Sequence, residues 1–183
     1  MPDDHELMMA VRDGDLDKLG SLFEKHNRNL YNFFLRQTGE SQTSEDLVQD
    51  VFYKILRYRH TYRGESKFTT WMFSIAHNSK VDYYRKNRHQ TDDMEILESM
   101  PSDDPTPEDI SVQKNERNLL MRALQKLTDE KREVLLLSRF QNMKYEEIAD
   151  IMGCKVGTIK ARVHWALKEL TYEYHKLAGS EPL

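Results

Sequence analysis

The sequence predicts an all-α protein with two small helical domains joined by a flexible acidic linker. Apolar residues recur at helical spacing through most of the chain, whereas the strict alternation of apolar and polar residues that is typical of strands is almost absent. A stretch rich in acids and prolines divides the chain, and 183 residues are enough for two domains of this kind. We therefore expect domains at residues 5–90 and 115–178, with the linker at 91–114.

The first domain begins with a long amphipathic helix. Its predicted buried stripe comprises Leu19, Leu22, Phe23, His26, Leu30, Phe33 and Phe34. Gly39 is placed to end this helix, and Thr43 or Ser44 can cap the next one. The buried face predicted for that next helix comprises Leu47, Val51, Ile55 and Tyr58. The sequence YRGESK then interrupts the helical pattern, which resumes with Trp71 and Ile75, both predicted to be core residues.

The second domain follows the acidic stretch. Its first amphipathic helix carries Leu119, Leu120, Ala123, Leu124 and Leu127. Thr128 can cap a further helix, whose apolar residues are Val134, Leu135, Leu137 and Phe140. A third helix, KYEEIADIM, meets Gly153 and a short turn before the chain enters the last predicted helix, VGTIKARVHWALKELTYEYHK.

The charge of the chain is unevenly distributed. A net charge of −4 argues against nucleic-acid binding only if the charge is spread evenly, because binding to phosphates needs clustered cations. Between residues 57 and 88 a run of cations is interleaved with aromatic residues and opposed only by Glu65 and Asp82. Between residues 91 and 116 the balance reverses, with many acids against Lys114. The acidic segment therefore makes the net charge of the chain negative, although residues 57–88 form a basic and aromatic segment suited to binding nucleic acid.

Composition argues against several classes of protein. No apolar run is long enough to cross a bilayer, and the acidic N-terminus is unlike a secretory signal, so we expect a cytoplasmic protein without membrane insertion. The single cysteine, Cys154, excludes an internal disulfide and a multi-cysteine zinc site, and we interpret it as a packing residue. The histidines lack ligand spacing, so we expect neither a metal nor a cofactor.

Residues 144–170 have the parts of a helix–turn–helix. Ile148, Ala149 and Met152 are predicted to pack inward on its first helix, and Gly153 allows the tight turn. The inward residues of its second helix are Ile159, Val163, Ala166 or Leu167, and Leu170. The residues predicted to be exposed for DNA recognition are Thr158, Lys160, Ala161, Arg162, His164 and Trp165. An ordinary helical hairpin with solvated charges is the alternative interpretation.

Three ordered stretches carry a resemblance to a known family. YEEIADIMGCKVGTIKARVHWALKEL resembles region four of the extracytoplasmic-function sigma factors, and SEDLVQDVFYKIL and FTTWMFSIAHNSKVDYYRK resemble their region two. The resemblance implies a region-two helical bundle followed by a region-four helix–turn–helix. It also implies that the region-two acidic helix binds the clamp helices of the largest subunit of core RNA polymerase. The matching residues are Asp46, Leu47, Gln49, Asp50 and Phe52. Asp46 and Asp50 lie four residues apart, hence on one helix face, although a merely solvated acidic face is the alternative.

The resemblance further implies a pocket that takes up a base flipped from the minus-ten non-template strand. By match, this pocket is the loop of residues 62–68, and Asn78 is a reader of the base. Stacking and hydrogen bonds can offset the few kcal/mol that unstacking one base costs. The predicted minus-ten surface comprises Tyr62, Arg63, Lys67, Phe68, Asn78, Lys80, Tyr84, Arg85, Lys86 and Arg88.

The same resemblance assigns the exposed residues of the last helix to the minus-thirty-five element of the promoter. The chain departs from the family pattern at Lys155, Ala161, His164 and Trp165, so the family's promoter sequence cannot be transferred. The predicted partners are promoter DNA, core RNA polymerase, including the flap of its second-largest subunit, and an anti-sigma factor. The function implied is an alternative sigma factor for a stress or envelope response.

A stand-alone DNA-binding regulator and an enzyme are the two alternative classes of function. A stand-alone helix–turn–helix regulator needs a dimerisation surface to span two half-sites, and nothing in the sequence resembles one. An enzyme is disfavoured, because no nucleophile elbow, phosphate loop or metal motif accompanies the candidate residues His26, Asp46 and Asp82.

Overall fold

The computed structural model describes residues 3–87 and 109–179, which form helices and turns with no strand among them. These residues divide into two compact units, one built mostly from the helices before residue 88 and one mostly from those after residue 108. The predicted all-α class with two helical domains is confirmed. Residues 91–108 of the predicted linker, and Arg88, lie outside the described residues. In that described part, no helix is long and apolar enough to cross a membrane.

Among the described residues, the N-terminal unit is built mostly from four α-helices and one short 3-10 turn. They are α1 (Asp4–Arg12), α2 (Asp17–Thr38), α3 (Ser41–Arg57), the 3-10 turn Arg59–Thr61, and α4 (Phe68–Asn87). Residues from α2, α3 and α4 form its hydrophobic core, which includes Leu22, Leu30, Phe33, Val51, Ile55, Phe73 and Ala76. The Phe33 and Phe73 rings meet edge to face with centroids 5.1 Å apart. Two members of the predicted stripes, Phe23 and Tyr58, are instead exposed.

The junction of α2 and α3 is tighter than the sequence predicts. Gly39 ends α2 as expected, with a φ of +77° and its amide donating to the Leu35 carbonyl at 2.9 Å. Only Glu40 then separates this left-handed residue from α3, which begins at Ser41. Thr43 and Ser44 therefore lie inside α3 as buried residues, and their predicted capping role is wrong.

Helix α1 is an element that our sequence analysis missed. Its N-cap is Asp3, whose side chain accepts from the Glu6 amide at 2.8 Å while the Glu6 side chain accepts from the Asp3 amide at 3.2 Å. This reciprocal pair is a capping box. The buried residues Leu7, Met8 and Val11 lie on one face of the helix. Both signals were present in the sequence, and the acidic composition of the segment concealed them.

The C-terminal unit contains the remaining helices. They are α5 (Asp109–Lys126), α6 (Asp129–Leu135), a π-helical turn (Leu136–Phe140), α7 (Tyr145–Met152) and α8 (Val156–Ala178). Both α5 and α6 pack against α8. Helix α5 begins at Asp109, so residues 109–114, which the sequence analysis assigned to the linker, are helical.

A buried cation closes the turn between α5 and α6. The Arg132 guanidinium donates to the carbonyls of Leu124 and Leu127 at 2.8 Å and to that of Gln125 at 3.2 Å. These carbonyls at and just beyond the end of α5 cannot be satisfied within that helix, which explains how an arginine can be buried here. Thr128 occupies the predicted N-cap position of α6, although its side chain makes no capping hydrogen bond.

Candidate protein and nucleic-acid interfaces

The residues predicted to bind core RNA polymerase divide between two faces of α3. Asp46 and Gln49 are exposed and Asp50 is half-buried, so all three reach solvent. Leu47 and Phe52 are buried in the hydrophobic core, at 2% and 7% exposure. Their burial follows from helical spacing, because they share the inward face with Val48, Val51 and Ile55. Leu47 and Phe52 therefore do not reach solvent in this structure, and their binding to polymerase remains a prediction.

A lysine that the sequence analysis overlooked connects the acidic face of α3 with α4. Lys54 Nζ lies 3.0 Å from Asp50 Oδ2 and 3.1 Å from Asp82 Oδ2, and it also donates to Ser79 Oγ at 3.1 Å. Lys54 lies four residues after Asp50, and this spacing was the available signal. The acidic face thus has a fixed orientation relative to α4.

The pKa values of this cluster are shifted by its geometry. Burial alone lowers the pKa of Lys54, but the hydrogen bonds and charges of Asp50 and Asp82 outweigh it, so the pKa is raised. The hydrogen bond from Lys54 lowers the pKa of Asp82, and although burial opposes this, the charges of Lys54, Arg85 and Lys86 lower it further. Both shifts favour the ionised pair.

The loop of residues 62–68 is anchored by aromatic side chains. Tyr62 and Phe68, both predicted to contact DNA, are buried at 1% and 2% exposure. The Tyr62 hydroxyl donates to the Ser66 carbonyl across the loop at 3.2 Å, and the half-buried Trp71 ring lies 5.2 Å from the Tyr62 ring. We predicted from the sequence that Tyr62 and Phe68 contact DNA. In this structure they are buried because their rings pack together and against Trp71. Arg63 and Lys67 are exposed.

Helix α4 presents most of its other predicted DNA-binding residues to solvent. Asn78, Tyr84, Arg85 and Lys86 are exposed, and Arg85 pairs with Asp82 at 2.9 Å. Lys80 is the exception, with 1% exposure. Lys80 is buried because it continues the inward stripe of Phe68, Met72 and Ala76 at a spacing of four residues, and its contact with DNA remains a prediction. Tyr83 is half-buried and its hydroxyl lies 3.0 Å from Thr43 Oγ1, whereas the neighbouring Tyr84 is exposed.

The predicted helix–turn–helix consists of α7 and α8. Gly153 forms the turn with a φ of +62°, and the Cys154 amide donates to the Ala149 carbonyl at 3.0 Å. Ile148 and Ala149 are buried as predicted, whereas Met152 is half-buried. Cys154 is half-buried in the turn, with a free thiol. The buried residues of α8 are Ile159, Val163 and Ala166.

The opposite face of α8 carries the predicted DNA-binding residues. Five of these residues are exposed: Thr158, Lys160, Ala161, His164 and Trp165. The sixth, Arg162, is half-buried and pairs with Glu130 of α6 at 3.0 Å. Trp165 has 58% exposure, and the Lys168 ammonium lies 5.1 Å from its ring centroid. The first half of α8 therefore offers donors, cations and an aromatic surface outside its buried stripe.

Comparisons with known proteins agree with both units. Residues 22–90 match the family described as Sigma-70 region 2, and residues 117–170 match Sigma-70, region 4. The RNA polymerase sigma factor YlaC of Bacillus subtilis is 31% identical over 156 residues, which are 84% of this chain and 90% of that protein. The ECF RNA polymerase sigma factor SigW of the same organism is 26% identical, over 84% of this chain and 87% of that protein.

A solved structure agrees as well. The sigma factor RpoE of Bartonella quintana, in complex with the anti-sigma factor NepR, matches with a TM-score of 0.69 and 26% identity. The match covers 87% of this chain and 96% of that one. With both regions matched and a relative above 30% identity across most of its length, the chain belongs to the extracytoplasmic-function sigma factors of the sigma-70 family.

Proposed function

We propose that this chain is an alternative sigma factor that binds core RNA polymerase and directs promoter-specific initiation of transcription. One observation carries the proposal: the chain matches both sigma regions, and each region has an exposed face of the expected kind. The first is the acidic face of α3, and the second is the face of α8 that carries Thr158, Lys160 and Trp165. Acting with the polymerase, it works in the cytoplasm and is not itself an enzyme. No metal or cofactor enters this proposal.

The acidic face of α3 binds the clamp helices of the largest polymerase subunit in this proposal. Asp46 and Asp50 can pair with arginines of the partner, and the exposed Gln49 can donate or accept between them. Leu47 and Phe52 act indirectly, because their burial holds this face of the helix outward. The C-terminal unit binds the flap of the second-largest subunit.

The minus-ten element is bound by the loop of residues 62–68 and the outer face of α4. Arg63 and Lys67 supply cations for the phosphates, and Asn78 offers an amide to the edge of a flipped base. The exposed Tyr84, with Arg85 and Lys86, extends this surface along the strand. Tyr62 and Phe68 form the base of the loop and contribute by holding its shape.

The minus-thirty-five element is read by the first half of α8. Lys160 and Arg162 can bind phosphates or guanine edges, and Thr158 lies at the start of the helix, where a recognition helix enters the major groove. Trp165 adds an exposed aromatic ring to the same half of the helix. The chain departs from the family pattern at Lys155, Ala161, His164 and Trp165, which supports a promoter preference of the chain's own.

An anti-sigma factor regulates the chain in this proposal, as one binds the Bartonella quintana relative. Such a partner would hold the protein inactive until a stress or envelope signal releases it. The test is affinity purification of the tagged full chain from unstressed and stressed cells. Recovery of one additional small protein from unstressed cells, at the expense of polymerase, is the expected result. Recovery of polymerase alone under both conditions would contradict this regulation.

The decisive experiment is transcription in vitro with purified core RNA polymerase on a genomic library, with and without the chain. The Asp46→Arg, Asp50→Arg variant removes the proposed polymerase contact. The Asp15→Arg, Glu24→Arg variant is the matched control, because it reverses two exposed carboxylates elsewhere on the N-terminal unit. We expect new start sites with the wild type and the control, and none with the α3 variant. Binding to DNA without core polymerase, and no new starts, would indicate a stand-alone regulator instead.

A further inference from the structure

The side chain of His5, on helix α1, contacts the loop of residues 62–68. His5 Nδ1 lies 3.2 Å from the Tyr62 hydroxyl, which lies 3.2 Å from the Ser66 carbonyl on its other side. A carbonyl can only accept, so the one hydroxyl proton of Tyr62 is committed to Ser66. His5 Nδ1 must then carry the proton of the other hydrogen bond. Two successive hydrogen bonds therefore link His5 of α1 to the Tyr62 hydroxyl and the Tyr62 hydroxyl to the backbone of the loop.

The backbone of the loop also approaches the His5 ring directly. Gly64 has a φ of +75°, in the left-handed region that favours glycine. A Cβ atom built on Gly64 would overlap the van der Waals surface of His5 Cε1. The imidazole of α1 thus packs against both the Tyr62 side chain and the backbone of the loop at Gly64.

The first turn of α1 is itself firmly held. Asp4, the residue before His5, pairs with Lys25 at 2.6 Å and with His26 at 2.9 Å on α2. His26 is buried, and its ring lies 5.3 Å from the ring of Phe68, the residue that ends the loop. The capping box of Asp3 and Glu6 fixes the backbone of the same turn. His5 therefore projects from a rigid support.

We propose that His5 is a positioning residue that holds the loop of residues 62–68 in the shape that accepts the flipped minus-ten base. The inference rests on the proposed function of that loop and adds a residue from α1, outside the motifs that predicted it. Base capture gains selectivity from a site formed in advance, because a mobile loop must be ordered at the moment of binding. His5 need not touch DNA for this role.

The first test measures the loop itself. Amide hydrogen exchange of residues 63–67 in the full chain is compared between wild type and His5→Ala. We expect exchange to accelerate about fivefold, the ratio that corresponds to one hydrogen bond of about 1 kcal/mol. His5→Asn should restore the wild-type exchange rates, since its amide can donate from nearly the position of Nδ1. His60→Ala is the matched control, an exposed histidine in the neighbouring 3-10 turn. Unchanged exchange in His5→Ala would overturn the proposal.

The second test measures the consequence for promoter choice. Holoenzymes with each variant transcribe a library in which the minus-ten element of a promoter found with the wild type is randomised. We expect His5→Ala to reduce discrimination at the flipped base three- to tenfold while affinity for core polymerase stays unchanged, and His5→Asn to rescue it. If Arg63→Ala and Lys67→Ala alter promoter use but His5→Ala leaves discrimination intact, the positioning role is wrong. If none of these variants has an effect, the proposed function of the loop fails and the inference fails with it.

Discussion

The two units differ in where their predicted binding residues lie. In the C-terminal unit every residue predicted to meet DNA reaches solvent, and all of them except the half-buried Arg162 are exposed. In the N-terminal unit the predicted residues divide between surface and interior. The buried ones are Leu47, Phe52, Tyr62, Phe68 and Lys80.

The difference comes from how wide a face each helix buries in its unit. Helix α8 buries one narrow stripe, Ile159, Val163 and Ala166, and leaves the adjacent residues for a partner. Helices α3 and α4 lie in a bundle and bury wide faces, so a motif there records packing as much as binding. A family motif thus identifies binding residues most directly where an element is half-exposed.

The largest effect that tests this comparison is the loss of an aromatic residue from the interior of the N-terminal unit. Phe68→Ala should lower the free energy of unfolding by about 3–5 kcal/mol, because it leaves a cavity beneath the loop. The measurement is urea unfolding followed by fluorescence in a Trp165→Phe background, where Trp71 is the only remaining tryptophan. Tyr84→Ala, an exposed aromatic residue on the same helix, should cost less than about 0.5 kcal/mol. Equal losses for the two variants would contradict the division into interior and surface.

The exposed aromatic residue of α8 should show the opposite behaviour. Trp165→Ala should change the unfolding free energy by less than about 0.5 kcal/mol, since its ring is mostly exposed. It should weaken promoter binding by the holoenzyme about tenfold, the loss of one aromatic contact with DNA. Tyr172→Ala, exposed two turns further along α8, is the control and should keep wild-type promoter affinity. A large loss of stability in Trp165→Ala would place this residue with the interior group.

Most of the fold could be predicted from the sequence, because helical spacing, turn glycines and the acidic stretch are local signals. Gly39 and Gly153 have the positive φ values that their places at helix ends required. Helix α1 was not predicted because its acidic segment was used only to argue against a secretory signal, and its capping box was not considered. The start of α5 was not predicted because residues 109–114 have the same composition as the linker.

The candidate sites could be predicted only in part, for a physical reason. Contacts such as Lys54 with Asp82, and His5 with Tyr62, join helices that are distant in sequence, so no local pattern announces them. The inward direction of Lys80 needed the exact phase of α4, because an error of one residue rotates a side chain by about 100° around the helix. Charge and residue type were visible in the sequence, whereas direction and partner required the fold.

A smaller effect should follow from removing the lysine that joins the acidic face of α3 to α4. Lys54→Met keeps the aliphatic stem but loses three polar contacts, and it should lower the free energy of unfolding by about 1 kcal/mol. Lys86→Met, an exposed cation at the end of the same unit, should cost less than about 0.5 kcal/mol. The same Trp71 fluorescence assay compares them, and a loss in Lys86→Met as large as that in Lys54→Met would refute a special role for the bridge.

The smallest predicted effect is a pH dependence that originates at Asp82. Lys54 holds the pKa of this carboxyl below its usual value, so Asp82 stabilises the fold at pH values above about 4, the pKa of an unfolded aspartate. This contribution is lost as the pH falls through the lower pKa of the folded state. Because the carboxyl is more than one third exposed, we expect less than about 1 kcal/mol.

Urea unfolding of wild type and Asp82→Asn between pH 7 and pH 3 measures this contribution. The difference in unfolding free energy should be constant near neutral pH and should shrink below about pH 4, as the wild-type carboxyl takes up a proton. Glu24→Gln, an exposed carboxylate on α2, is the control, and its curve should run close to that of the wild type throughout. A difference for Asp82→Asn that grows on acidification would have the wrong sign, and would mean that Asp82 is destabilising when ionised despite its contact with Lys54.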